Sequence, residues 1–183
     1  MLTPQERSEL LTIARSAVAH TLHSEEPQLP ALLGGALAER SGAFVTLRRG
    51  GDLRGCIGYI ESELPLGQVV QEVAIKAARE DPRFPPVTED ELRELTFEIS
   101  VLSPLRPVQN VEEIQVGQHG LLLELGWHRG LLLPQVAVEY GWDREQFLNH
   151  TARKAGLPPR AWEDPRATLY LFQAEVFDEE QTR

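Results

Sequence analysis

Cys56 is the only cysteine in the 183 residues, and it lies in the stretch Asp52-Leu53-Arg54-Gly55-Cys56-Ile57-Gly58-Tyr59-Ile60. A strand places alternate side chains on one face, so Arg54 and Cys56 are expected to point the same way. A guanidinium beside a thiol favours the thiolate, which is the nucleophilic form. Gly55 and Gly58 remove side chains around the sulfur, so a ligand or another backbone can approach closely. The competing reading is packing: free cysteine is among the most buried residue types and behaves as a small hydrophobe.

A thiol nucleophile also needs a base and a group to orient it. His119, between Gly117 and Gly120 in a turn before an apolar run, is the candidate base, set against the plainer role of a solvated loop histidine. Glu98 is a carboxylate within a strand whose face also carries Thr96 and Ser100, a face expected to be exposed. Gln135 follows Pro134 at a strand end, where polar groups converge on clefts. Asp81 and Arg83 flank Pro82 and are expected to form a local ion pair closing a helix end. His20 and His23 read as a solvated last helical turn rather than as metal ligands.

Other chemistries lack their signatures. The chain has no Gly-x-Ser-x-Gly elbow, no phosphate loop ending in Gly-Lys-Ser/Thr, no His-Glu-x-x-His and no Cys-x-x-Cys. One cysteine is too few soft ligands for a zinc or iron–sulfur centre, so no metal and no cofactor are expected.

The elements that must carry these residues follow from periodicity and punctuation. Thr3-Pro4-Gln5-Glu6 forms a capping box with proline at the first helical position, and Leu10, Ala14, Ala17, Val18 and Leu22 continue a buried helical face. Pro27 and Pro30 end that helix, and a short helical turn is expected over 32–40. Residues 43–48 and 53–60 alternate as two strands of a hairpin about Arg49-Gly50-Gly51-Asp52. A helix over 65–80 carries a broad apolar stripe that should lie on the sheet. Asp81-Pro82-Arg83-Phe84-Pro85-Pro86 stops it, and Thr88-Glu89-Asp90-Glu91 caps a short helix to about residue 95. A strand over 96–102 follows. Residues 121–125 and 131–133 suggest a second hairpin around a five-residue turn, with a helical turn over 136–140. Asp143 with Gln146 caps a helix over 144–155, which Gly156 ends. Residues 168–177 read as one last strand, and the acidic tail from Asp178 should fray. Helices and hairpins without a strand–helix–strand rhythm imply an α+β fold with a largely antiparallel sheet.

Composition narrows the function classes. The length suits a single domain over 1–183. A formal net charge of -10 argues against a nucleic-acid surface, which needs phosphate-neutralising cations. No apolar run approaches the roughly 20 residues of a membrane span, and the N-terminus lacks a signal-peptide layout. A lone cysteine fits a reducing compartment, so a cytoplasmic location is expected.

Six blocks together resemble the AMMECR family, in its prokaryotic form the AmmeMemoRadiSam system protein A. They are Leu53-Arg54-Gly55-Cys56-Ile57-Gly58, Asp81-Pro82-Arg83-Phe84-Pro85-Pro86, Glu98-Ile99-Ser100-Val101-Leu102-Ser103, His119-Gly120-Leu121, Gly130-Leu131-Leu132-Leu133-Pro134-Gln135-Val136-Ala137 and Lys154-Ala155-Gly156-Leu157. The resemblance covers nearly the whole chain. It implies an α+β fold of two unequal lobes, the second smaller, with an antiparallel sheet flanked by helices. It also implies a cytosolic protein associated with a Memo-type protein and a radical-SAM enzyme. The Arg-Gly-Cys-Ile-Gly block is that family's suspected active or binding site. The chain departs at Ala152, where many members carry a cysteine, so a two-cysteine redox or metal role does not carry over.

Two functions are consistent with these residues. One is an enzyme or modification-system component acting through the Cys56 thiolate, with Arg54 lowering its pKa or binding an anion, His119 moving protons, and Gly55, Gly58, Glu98 and Gln135 shaping the binding site. The other is a non-catalytic module that binds a Memo-type or radical-SAM partner.

Overall fold

The paired glycines Gly50 and Gly51 both take positive φ, at 59° and 90°, and fold β1 (Ala43–Arg49) back on β2 (Asp52–Tyr59). The computed structural model describes residues 1–29 and 33–181, so Pro30 and the start of the turn expected over 32–40 lie outside the described residues. The part of that turn within them is a short 3-10 segment, Gly35–Ala38. The fold is α+β, and the chain divides into two compact units, Met1–Leu102 with Glu175–Arg183 and Ser103–Ala174.

The first unit begins with α1 (Pro4–Leu22), whose capping box between Thr3 and Glu6 is formed as the sequence predicts. Its sheet continues from the hairpin through β3 (Leu95–Leu102) to β8 (Ala174–Asp178) in the order β2-β1-β3-β8, with β1 antiparallel to both neighbours. The helix α2 (Leu66–Arg79) packs its apolar stripe on β1 and β2, and α3 (Glu89–Leu92) precedes β3. Val45, Leu47, Phe97 and Ile99 meet Val70, Val73 and Ala74 of α2 and Leu10 and Ala14 of α1 in one core. Burial of these side chains is the main force holding the unit together, at about 1.5–3 kcal/mol for each large one.

The second unit holds a sheet ordered β4-β7-β5-β6, from β4 (Arg106–Pro107), β5 (Gly120–Leu125), β6 (His128–Leu132) and β7 (Thr168–Phe172). Two helices, α4 (Pro134–Glu139) and α5 (Arg144–Lys154), pack on β5, and α5 on β6 as well. Ile114, Leu121, Ala137, Phe147, Leu148 and Leu171 form its core.

Three expectations change. The β5–β6 turn is two residues, Gly126-Trp127, because His128, Arg129 and Gly130 pair with Leu125, Glu124 and Leu123. The last strand breaks at Gln173 into β7 and β8, which belong to different sheets. The acidic tail does not fray at its start. Glu179 accepts hydrogen bonds from Arg15 at 2.5 and 2.6 Å and from the Phe97 backbone N–H at 3.1 Å, and Arg15 lies over the Phe97 ring. Among the described residues no helix is long and apolar enough to cross a membrane.

Candidate functional site

The register of the first hairpin decides where Cys56 faces. A regular ladder closed on Arg49 and Asp52 would set Val45 opposite Cys56. Instead Arg48 pairs with Leu53 while Leu47 pairs with Gly55, so Arg54 is the extra residue of a β-bulge. The one-residue shift moves Cys56 opposite Thr46, and Thr46 in turn lies opposite Glu98 on β3. Cys56, Thr46 and Glu98 therefore form a row across three strands, on the face opposite Val45 and Leu47.

Thr46 donates its hydroxyl to Cys56 Sγ at 3.3 Å. The thiol is half-buried, and burial pushes its pKa above the ordinary value against the opposing pull of the Thr46 bond and the Arg83 charge. Arg54 is not the cation that acts on the sulfur. It donates Nε and Nη2 to the two oxygens of Glu91 at 2.9 and 3.1 Å, and its side chain is 12% exposed. That pairing holds Glu91 down at about 2, with the Thr88 backbone N–H adding to the effect. The expected Arg54–Cys56 partnership fails because the bulge breaks strict alternation between Leu53 and Gly55.

The Asp81–Arg83 pair does more than close a helix. Asp81 is 4% exposed and accepts the Cys56 backbone N–H at 2.9 Å. Arg83 grips the same carboxylate through Nε and Nη2 at 2.9 and 2.7 Å, and its Nη2 reaches the Cys56 carbonyl at 3.4 Å. Since β2 is an edge strand, this loop supplies both hydrogen-bonding partners that a further strand would give Cys56. The Arg83 side-chain bond is the main reason that the Asp81 carboxyl is held far below the usual range.

The glycines serve packing. A Cβ on Gly55 would lie 2.2 Å from the Ala77 carbonyl oxygen, so the missing side chain lets α2 close on the sheet. A Cβ on Gly58 would lie 2.3 Å from the Phe44 ring. Nor is the polar face of β3 simply solvated. Ser100 is 1% exposed, Thr46 6% and the Glu98 side chain 17%, with Glu98 accepting from Arg48 Nε at 3.4 Å.

His119 and Gln135 belong to the second unit. His119 Nδ1 accepts the Gln115 backbone N–H at 3.1 Å, which leaves Nε2 as the N–H of the neutral ring. Gln135 sits in the first turn of α4, and its Oε1 is buried without a partner among the described residues. Within the first unit, the side-chain partner of the thiol is Thr46 and no imidazole bonds to it among the described residues. His20 bonds the Ser16 carbonyl and His23 bonds Glu89. Among the described residues no three His, Cys, Asp or Glu side chains are grouped to hold a metal ion.

Sequence reasoning missed Thr46, Glu91 and the tether from Asp81 to the Cys56 backbone. The capping box at Thr88 pointed to Glu91, which does cap α3 while also holding Arg54. No pattern in the chain announces the bulge that brings Thr46 to the sulfur.

A sheet row of thiol, hydroxyl and carboxylate, braced by the largely buried Arg54–Glu91 pair and by Asp81 paired with the half-exposed Arg83, marks this α+β protein. The chain belongs to the AMMECR1 family, whose model matches residues 11–177. It is 48% identical to a protein of Methanothermobacter thermautotrophicus over 98% of this chain and 97% of that one. A protein of Methanopyrus kandleri is 44% identical over 98% of this chain and 91% of its own. The crystal structure of an uncharacterised protein from Pyrococcus horikoshii is similar with a TM-score of 0.89 at 43% identity, covering 95% of this chain and 91% of that one.

Proposed function

We propose that this AMMECR1-family protein is a recognition module of the AmmeMemoRadiSam type, cytoplasmic, which uses the Cys56 face to bind a ligand or a Memo-type or radical-SAM partner with the thiol neutral. The observation that carries this reading is the setting of the sulfur: burial raises its pKa, while Arg54 is committed to Glu91. A neutral thiol is a weak donor and a soft contact surface, suited to recognition more than to attack.

The test is the rate of Cys56 alkylation against pH, paired with partner binding by Cys56→Ala and Cys56→Ser. The expected inflection lies above the roughly 8.5 of a free thiol, and both variants retain binding within a few-fold. An inflection near 7 would overturn the reading.

An enzyme acting through the Cys56 thiolate is the second reading, favoured by the Arg83 charge that pulls the thiol pKa down and by Glu98 in the same strand row. A substrate turned over by the wild type and by neither Cys56 variant would establish it.

A further inference from the structure

Two guanidiniums share the Phe84 ring. The Arg54 carbon Cζ is 5.8 Å from the ring centroid and that of Arg83 is 5.6 Å, so a single ring brings the two cations together. Each arginine is held in the same manner, with Nε and Nη2 given to a carboxylate, Glu91 for Arg54 and Asp81 for Arg83. Arg54 Nη1 is buried and has no hydrogen-bond partner among the described residues, whereas the Arg83 side chain is about half exposed.

A buried guanidinium N–H without an acceptor is costly, because a charged donor loses its water without replacement. The carboxylates fix both guanidinium planes in advance, and the half-exposed Arg83 is open to an arriving ligand oxygen. Planar N–H donors of this kind match the oxygens of carboxylates and phosphates. The pair also adjoins the thiol strand: Arg54 is two residues before Cys56, and Arg83 Nη2 approaches the Cys56 carbonyl.

We propose that Arg54 and Arg83, on the shared Phe84 ring, form an oxyanion-binding cradle through their Nη1 atoms, anchoring a carboxylate- or phosphate-bearing ligand beside Cys56. This inference rests on the Cys56 strand being a recognition site and names the chemical class that it takes. Asp81 and Glu91 hold the arginines and do not touch the ligand.

Titration calorimetry of the full chain with inorganic phosphate and, separately, with succinate tests it. Saturable binding of at least one is expected below about 10 mM, and the tighter of the two tells phosphate from carboxylate. Arg83→Gln should weaken that binding by at least about tenfold, the loss of one charge-assisted hydrogen bond. Arg83→Lys, which keeps the charge and loses the planar donors, should not restore it. Arg93→Gln, which removes an exposed cation elsewhere in the same unit, should leave it unchanged. No saturation by either anion, unchanged binding in Arg83→Gln, or an equal loss in Arg93→Gln would overturn the cradle. The thiol titration is a separate readout. A raised inflection without anion binding removes the cradle alone, whereas anion binding with an inflection near 7 removes the neutral-thiol reading alone.

Discussion

At the scale of single residues, the sulfur of Cys56 is governed by what touches it and not by what precedes it in the chain. Thr46 stabilises the thiolate by donating to Sγ, so Thr46→Val should push the thiol pKa higher still. Alkylation at pH 8 should then slow several-fold, while Arg93→Gln serves as the unaffected control. Glu91 provides a second test. Its folded pKa of about 2 lies below its ordinary 4.5, so its pairing with Arg54 contributes fully above about pH 4.5 and is lost as pH falls towards 2. Glu91→Gln should therefore melt lower than the wild type at pH 7, with the difference shrinking between pH 4.5 and 2.5 in thermal scans. A constant difference across that window would contradict the pairing.

At the scale of elements, the edge of β2 is sealed by a loop instead of a strand. Asp81→Asn removes the charge that binds Arg83 and weakens the acceptor for the Cys56 N–H. Charge-assisted hydrogen bonds of this kind contribute about 1.5–3 kcal/mol, so a loss of that order is expected in urea unfolding. The Cys56 amide should also exchange faster with deuterium, more than the amides of β1, which lies inside the sheet. Gly55→Ala addresses the contact between strand and helix. The added carbon meets the Ala77 carbonyl, a backbone atom of α2 that cannot rotate away, so overpacking by about 1–3 kcal/mol is expected in the same measurement. Both effects concern how the thiol strand is held, and neither change touches the sulfur itself.

At the scale of the whole molecule, the chain leaves the first unit after Leu102 and returns to it at Glu175. The returning segment places Phe177 in the first core and Glu179 on Arg15 and the Phe97 backbone. Glu179→Ala should destabilise the first unit by about 1.5–3 kcal/mol, the range for hydrogen bonds to charged groups. Two internal probes separate the readouts, because Trp127, Trp142 and Trp162 all lie in the second unit and Cys56 in the first. Cys56 labelling during urea unfolding should move to lower denaturant in this variant, and tryptophan emission follows the second unit.

Much of this was present in local patterns. Capping boxes at Thr3, Thr88 and Asp143, the glycine pair at Gly50-Gly51 and the apolar stripe of α2 act through neighbours a few residues apart, so the α+β class and most element positions follow from the sequence by itself. The thiol, its strand and its glycines were equally visible. What only the tertiary structure decided was their use. A single extra residue at Arg54 changes the face that Cys56 presents, because side chains alternate with period two and a one-residue slip exchanges the faces. It also frees Arg54 for Glu91, 37 residues away, and the Asp81 loop reaches the same strand from 25 residues away. Such long-range pairs leave no periodic trace in the chain. The Arg54-Gly55-Cys56-Ile57-Gly58 strand could thus be located from sequence, but the partners that set the thiol's chemistry arise only when distant segments pack against it.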